Sequence, residues 1–309
     1  MAEIIDVLIM GAGPAGLQAA IHAVRKKASV VVLGKPEKSA IYKAHVENYL
    51  CVDGVADGAM MMETAVAQAT RFGATLLEED VLSVAQEGVY FKIESESKSF
   101  VARTLIIAIG TSRKKLKVPG EKEFSAKGVS YCVDCDANFY RGAKVAVVGD
   151  ESAAVDGAIT LTKYAAEVSL VSRGLTVSET MADKLAQSPV NLIKGNWVKE
   201  IVGEAAVSGV VLEDGTVLAV DGVFIELGSK GPMELATSLG VALDMETFSY
   251  IDTDKKQHTN ISGVYAAGDI AGQPYQMAKA VGEGCTAGWE AANFAKRQQR
   301  QESKDSWEE

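Results

Sequence analysis

The chain has 309 residues, 48% of them apolar, with 29 glycines and 6 prolines; that length and mix suit two α/β domains and exclude a disordered chain. A formal net charge of −10 and a pI near 5.0 exclude nucleic acid as the main partner, since neutralising phosphates needs a basic face. No apolar run reaches the length of a membrane span and no signal-peptide layout opens the chain, so the expectation is a cytoplasmic protein with no membrane partner.

In chain order, the apolar run Ile4 to Met10 reads as a strand buried on both faces, ending at Gly11. Leu17, Ala20, Ile21 and Val24 recur at helical spacing, and Ser29 to Leu33 is a second β-branched run. The turn between first strand and helix is Gly11-Ala12-Gly13-Pro14-Ala15-Gly16. In such a turn the first glycine permits the bend and the second lets the backbone approach a pyrophosphate. The third packs helix on strand, so that the helix N-terminus faces the charge. In this context the pattern points to a dinucleotide. The acid that usually follows the second strand is missing; Gly34 and Lys35 stand there, leaving Glu37 as the candidate ribose partner.

Short strand signals fill 76–110. The basic cluster Arg113, Lys114, Lys115 and Lys117 follows; like Arg25, Lys26 and Lys27 it reads first as solubilising charge. Next stands Cys132-Val133-Asp134-Cys135-Asp136. A Cys-x-x-Cys is either half of a zinc site or a dithiol that cycles with a disulfide. Zinc needs four ligands, and Cys51, Cys285 and the three histidines are scattered in sequence, so no metal is expected and the pair reads as redox-active. From its position alone, Asp136 reads as a candidate helix N-cap. Asp134, between the cysteines, disfavours a thiolate, so a raised thiol pKa is expected.

The strand–turn–helix–strand order returns at 144–171, and further short strands fill 197–228. Two βαβ starts about 130 residues apart give the expected fold class: α/β, two Rossmann-like domains with β-meander caps. The second turn, Gly149-Asp150-Glu151-Ser152-Ala153-Ala154, carries Glu151 where a pyrophosphate needs glycine, and two carboxylates at a helix start repel phosphate. After the next strand stands a single arginine, Arg173, where a bidentate pair would hold a 2′-phosphate. Finally, Gly263 to Asp269 is a strand and turn, a helix is expected from about 276 to 296, and 297–309 reads as an exposed charged tail.

The ordered set Gly11 to Gly16, Val46-Glu47-Asn48-Tyr49, Leu105 to Gly110, Cys132 to Asp136 and Gly263 to Asp269 resembles the low-molecular-weight thioredoxin reductases over nearly the whole chain. The resemblance implies an FAD domain formed by 1–116 and 246–309, with a redox domain of degenerate pyridine-nucleotide fold inserted at 117–245. It also implies a homodimer that reduces a thioredoxin-like protein. By the same resemblance Gly11, Gly13, Pro14, Ala15 and Gly16 hold FAD, as do Asn48, Gly110, Gly268, Asp269, Gln276 and Met277. Tyr275 falls where the family has an arginine. Cys135 is the flavin-side sulfur, Cys132 the interchange thiol and Asp136 the acid. Among relatives the chain resembles most the ferredoxin-dependent flavin thioredoxin reductases, which lack the NADPH site. A reduced ferredoxin is therefore the expected donor, steered by Arg113–Lys117, and Trp307 is a candidate cover for the flavin. The competing readings are a dithiol oxidase, a redox-sensing flavoprotein, and an NADPH-dependent reductase with a divergent site; Glu226 to Pro232 departs from that site's usual turn as well.

Overall fold

The computed structural model describes residues 4–111, 115–228, 232–245 and 250–308. Arg113, Lys114 and Ser229 to Gly231 lie outside the described residues, as do the side chains of Cys135, Pro232 and Trp307. The chain divides into two compact units, Met1–Thr111 with Leu235–Glu309, and Ser112–Glu234.

In the first unit the apolar run becomes strand β1 (Ile4–Met10), and helix α1 (Pro14–Arg25) starts on a proline that needs no partner for its missing N–H. There follow β2 (Val30–Leu33), the small hairpin β3 (His45–Val46) and β4 (Ala56–Asp57), and α2 (Gly58–Phe72). The Asp57 carboxylate accepts from the Met60 N–H and caps α2. Strands β5 (Thr75–Leu77), β6 (Val81–Glu87), β7 (Tyr90–Ser95) and β8 (Ser99–Ile107) complete this part. The sheet order is β5-β2-β1-β8-β7-β6, parallel from β5 to β8, with β6, β7 and β8 an antiparallel meander.

The second unit holds β9 (Val129–Ser130), the short helix α3 (Val133–Asp136), β10 (Lys144–Val148) and α4 (Ser152–Leu161). Next come β11 (Glu167–Ser172), α5 (Glu179–Ala186) and β12 (Asn191–Lys194). The meander β13 (Val198–Gly203), β14 (Val207–Leu212) and β15 (Val217–Leu218) precedes β16 (Gly222–Ile225). Order β12-β11-β10-β16-β9 makes a parallel sheet whose strands β10, β11 and β16 are almost wholly buried, as runs such as Val145 to Val148 require. Helix α6 (Pro232–Ser238) follows.

The chain then adds β17 (Val264–Ala266) parallel to β8 and ends in α7 (Met277–Glu308). Two α/β units, each with a Rossmann-like core and a three-stranded meander, match the expected fold class. No described helix is long and apolar enough to cross a membrane.

Helix α7 corrects one sequence expectation. It was expected to stop near 296, yet it runs to Glu308. The run 297–308 holds no glycine or proline to break it, and it is fastened to the sheet. The Glu302 carboxylate accepts from Tyr90 Oη at 2.8 Å and pairs with the Arg103 guanidinium at 2.7 Å. Upstream, α7 crosses α1 on glycines: a Cβ on Gly284 would stand 2.1 Å from the Ala15 carbonyl oxygen, and one on Gly288 2.2 Å from that of Ala19. Small residues four apart on both helices let the backbones touch.

Candidate functional site

The first glycine turn lies at the point where the strand order reverses, between the ends of β1 and β8. Gly11 has φ +113°, and a Cβ there would meet the Ala108 carbonyl oxygen at 2.3 Å. A Cβ on Gly16 would meet the Gly11 carbonyl oxygen at 1.9 Å, which fixes helix against turn. Gly13 differs. Its nearest neighbour would be Ser39 Oγ at 3.5 Å, so the space beside it is open, and it caps α1 without a side chain. The α1 first-turn N–H groups therefore face an open cradle lined by backbone, which fits a dinucleotide pyrophosphate.

The late strand-and-turn segment, Gly263 to Asp269, comes up against this turn. Gly268 lies against Ala15, where a Cβ would stand 3.0 Å from the Ala15 Cβ. Asp269 opens a short 3-10 turn, and burial raises its carboxyl above its ordinary value; Lys279 opposes this and Glu283 adds to it. Lys279 Nζ donates to the Gly268 carbonyl at 2.9 Å and to Glu283 at 2.8 Å, and the Glu283 carboxylate accepts from the Gly268 N–H at 2.8 Å. Asn48 Nδ2 donates to Gln276 Oε1 at 3.0 Å, joining two residues 228 apart in sequence. Met277 starts α7 beside them, and Gly110 sits in the turn after β8 with open space at its Cα. Tyr275 meets the Tyr250 hydroxyl at 2.9 Å.

At the end of β2, Lys35 stands where an acid usually does. Its ammonium pairs with Asp80 at 3.0 Å and Glu96 at 2.6 Å, both buried carboxylates; burial works against the charge, but these two acids outweigh it and raise the pKa. Glu37 is exposed on a 3-10 turn beside it. Lys26 covers the Trp289 ring at 3.2 Å and donates to Asn293, so that cluster is partly structural.

In the second unit Cys132 is disulfide-bonded and buried, whereas Cys51 and Cys285 are free thiols. The Ser130 hydroxyl donates to Asp136 Oδ2 at 2.6 Å and accepts the Cys132 N–H at 3.1 Å. The Asp136 side chain makes no cap bond to the turn that follows it, so it is committed to Ser130 instead. Tyr140 is shifted up by burial and by the Asp136 charge.

The second nucleotide turn is filled by the protein itself. Asp150 Oδ1 accepts from Ser172 Oγ at 2.7 Å, the Arg173 N–H at 2.8 Å and the Gly174 N–H at 3.4 Å. These donors stand at the end of β11 and just after it, where a nucleotide ribose phosphate is met in this fold. The Ala153 N–H, in the first turn of α4, is taken by the Gly228 carbonyl at 3.1 Å. Arg173 itself pairs with Glu213 at 3.1 Å and stacks over Trp197. The sequence marked Glu151 and the lone arginine; it did not show that Asp150 turns back onto the loop after β11.

Comparison with known proteins shows the family to which this fold belongs. The family model described as pyridine nucleotide-disulphide oxidoreductase matches residues 5–284. The thioredoxin reductase of Listeria innocua is 34% identical over 304 residues, covering 94% of each chain, and that of Bacillus subtilis is 32% identical, covering 96% of each. Among solved structures, the atypical thioredoxin reductase of Desulfovibrio vulgaris Hildenborough superposes with a TM-score of 0.82 at 32% identity, covering 94% of this chain and 98% of its own. A ferredoxin-flavin thioredoxin reductase of Clostridium acetobutylicum gives 0.68 at 31% identity, with 95% and 98% covered. The chain thus belongs to the pyridine nucleotide-disulphide oxidoreductases, on their thioredoxin reductase branch, and is an oxidoreductase.

Proposed function

We propose that this enzyme binds FAD at the Gly11–Gly16 turn and reduces a thioredoxin-like protein through Cys132 and Cys135, with electrons from reduced ferredoxin or another donor that is not NADPH. The observation that carries the choice of donor is the filled second turn: Asp150 takes the donors after β11, and Gly228 takes the Ala153 N–H. A phosphate would have to displace a hydrogen-bonded carboxylate, and Glu151 stands where its backbone approach would run.

Bound flavin would supply a two-electron reduction of the disulfide. The chain's residues do the rest. Gly13 and the α1 N–H groups bind the pyrophosphate, and Asp269 with the Asn48–Gln276 pair orients the remainder of the cofactor. Asp136, held by Ser130, takes and returns the proton as a cysteine sulfur leaves. Cys132 forms the mixed disulfide with the partner, and Cys135 resolves it. Exposed Leu50, Val55 and Met60 favour a homodimer through the first unit, and exposed Lys115 and Lys117 favour an acidic donor. The free exposed thiol Cys51 suits a reducing compartment, the cytoplasm.

The test is an anaerobic titration of the flavin-loaded protein, followed by absorbance. Reduced ferredoxin should bleach the flavin and NADPH or NADH should not; prompt stoichiometric bleaching by NADPH would overturn the donor assignment.

A further inference from the structure

The N–H groups that open α3 already have acid partners. Val133 N–H points at Glu226 Oε1, 3.3 Å away, and Asp134 N–H at Glu234 Oε1, 3.5 Å away. Both glutamates are nearly sealed from water, at 5% and 3% exposure. Glu226 follows β16, and its side chain is wedged between α3 and α4: a Cβ on Gly157 of α4 would lie 2.9 Å from Val133 Cγ2 and 3.7 Å from Glu226 Cγ. In a redox-active Cys-x-x-Cys the N–H groups after the first cysteine are what lowers its thiol pKa. Here acids hold those groups. The elements around Cys132 add further ionisable groups: Asp134 and Asp136 on α3, Asp156 on α4, Tyr140 beyond α3, and Arg141, whose guanidinium is turned onto Tyr164 and Asn138.

We propose that Glu226 is a positioning residue for the redox pair: its buried carboxylate engages the Val133 N–H beside Cys132, and the negative charge it sets there keeps the reduced sulfur in its thiol form. The inference rests on the reading of Cys132 and Cys135 as the working pair. Reduction breaks the S–S bond of Cys132 and takes up two electrons. With both sulfurs kept as thiols it also takes up two protons. A small dithiol such as dithiothreitol gives up both electrons and both protons and closes its own S–S bond. The consequence is a Cys132 that attacks more slowly at neutral pH than an activated thiol, and a pair whose reduction binds protons across a wider pH range.

The test reads the thiol directly. Protein reduced with dithiothreitol and freed of it is alkylated with iodoacetamide from pH 5 to 10, and modification at Cys132 is followed by peptide mass spectrometry, separately from Cys51 and Cys285. In the wild type the rate should break above the ordinary thiol value of about 8.5. Glu226→Gln keeps the shape and the oxygen that accepts from Val133 but removes the charge. Its break should fall by about one pH unit, the lower end of the shift a nearby charge causes. The thiolate fraction below both breaks then rises about tenfold, and the rate by less, because a less basic thiolate is the weaker nucleophile. Superimposable profiles for wild type and E226Q would overturn the proposal. Should E226Q fail to fold, the wild-type break decides alone: at or below the ordinary value the proposal falls. Neither readout needs flavin, donor or thioredoxin, so a chain inactive toward thioredoxin would sink the proposed function and leave this result standing.

Discussion

The glycine turn separates a fold glycine from a ligand glycine, and alanine at each tells them apart. At Gly16 the new methyl would sit 1.9 Å from the Gly11 carbonyl oxygen and 3.2 Å from Ile9 Cγ2, so backbone must move. Overpacking of this kind costs about 1–3 kcal/mol or more, against roughly 1 kcal/mol returned by the better helix former. At Gly13 the methyl meets only Ser39 Oγ at 3.5 Å, and φ −83°, ψ −176° suits alanine. Loss of a tolerant cap and gain from a less flexible unfolded chain each amount to about 0.4–1 kcal/mol and nearly cancel. For a domain of this size 1 kcal/mol moves the melting temperature by about 2–4 °C. Flavin-free G13A should therefore melt within about 3 °C of wild type by far-ultraviolet circular dichroism, while G16A melts clearly lower. Titration with FAD, read by fluorescence quenching, should show at least about tenfold weaker binding for G13A, because the methyl occupies the path of backbone to pyrophosphate. A G13A protein that binds FAD as the wild type does would refute the placement of the pyrophosphate at this turn.

Glu151→Gly alone should not restore reduction by NADPH in the anaerobic titration, since Asp150 and Gly228 still hold the donors; bleaching by NADPH in that variant would show that Glu151 was the sole obstacle. Gly288→Val should lower the melting temperature by several degrees in differential scanning calorimetry, because its side chain would enter the Ala19 carbonyl 2.2 Å away, and an unchanged value would mean that α7 can lift off α1. Burial works against ionisation of Glu302, but hydrogen bonds from Arg103 and Tyr90 outweigh it and hold the carboxyl below its ordinary 4.5. A depressed folded value stabilises above pH 4.5 and is lost as pH falls through it. Glu302→Gln should thus cost about 0.5–1 kcal/mol at neutral pH and flatten the loss of thermal stability below pH 4.5; equal slopes for both proteins would count against the pairing.

What could be read from the sequence follows from how local each signal is. Strand β1, its glycine turn and α1 are legible because burial, backbone bend and helix face all lie within 25 residues. The cysteine pair is legible for the same reason. The end of α7 was not: twelve charged and polar residues look like a tail until Arg103 and Tyr90, about 200 positions earlier, fasten Glu302. The acids at the start of α3 were hidden in the same way, since Glu226 and Glu234 meet Val133 and Asp134 across 93 and 100 residues. The spacing of Gly284 and Gly288 was a readable signal of a close helix crossing, parallel to that of Ala15 and Ala19.

Under the donor assignment proposed above, the second turn shows how a nucleotide fold can outlast its nucleotide. A Rossmann half leaves donors waiting at a helix start and at the end of the next strand, and each buried donor without a partner costs about 1–3 kcal/mol. In a nucleotide-binding domain the ligand meets that need only when bound. Here the end of β11 and the loop after it have Asp150, and the Ala153 N–H at the start of α4 has Gly228, so these donors are met without a ligand. Gly149 keeps its small size for packing: a Cβ there would strike the Glu226 carbonyl oxygen at 2.1 Å and the Ala154 Cβ at 2.7 Å. The same residue that pins this glycine, Glu226, sends its side chain to the start of the cysteine helix. One strand end thus packs against the second glycine turn and reaches the start of α3 beside Cys132. If the cysteine pair works as proposed, selection on it would preserve the fold of the second unit whether or not a nucleotide binds there.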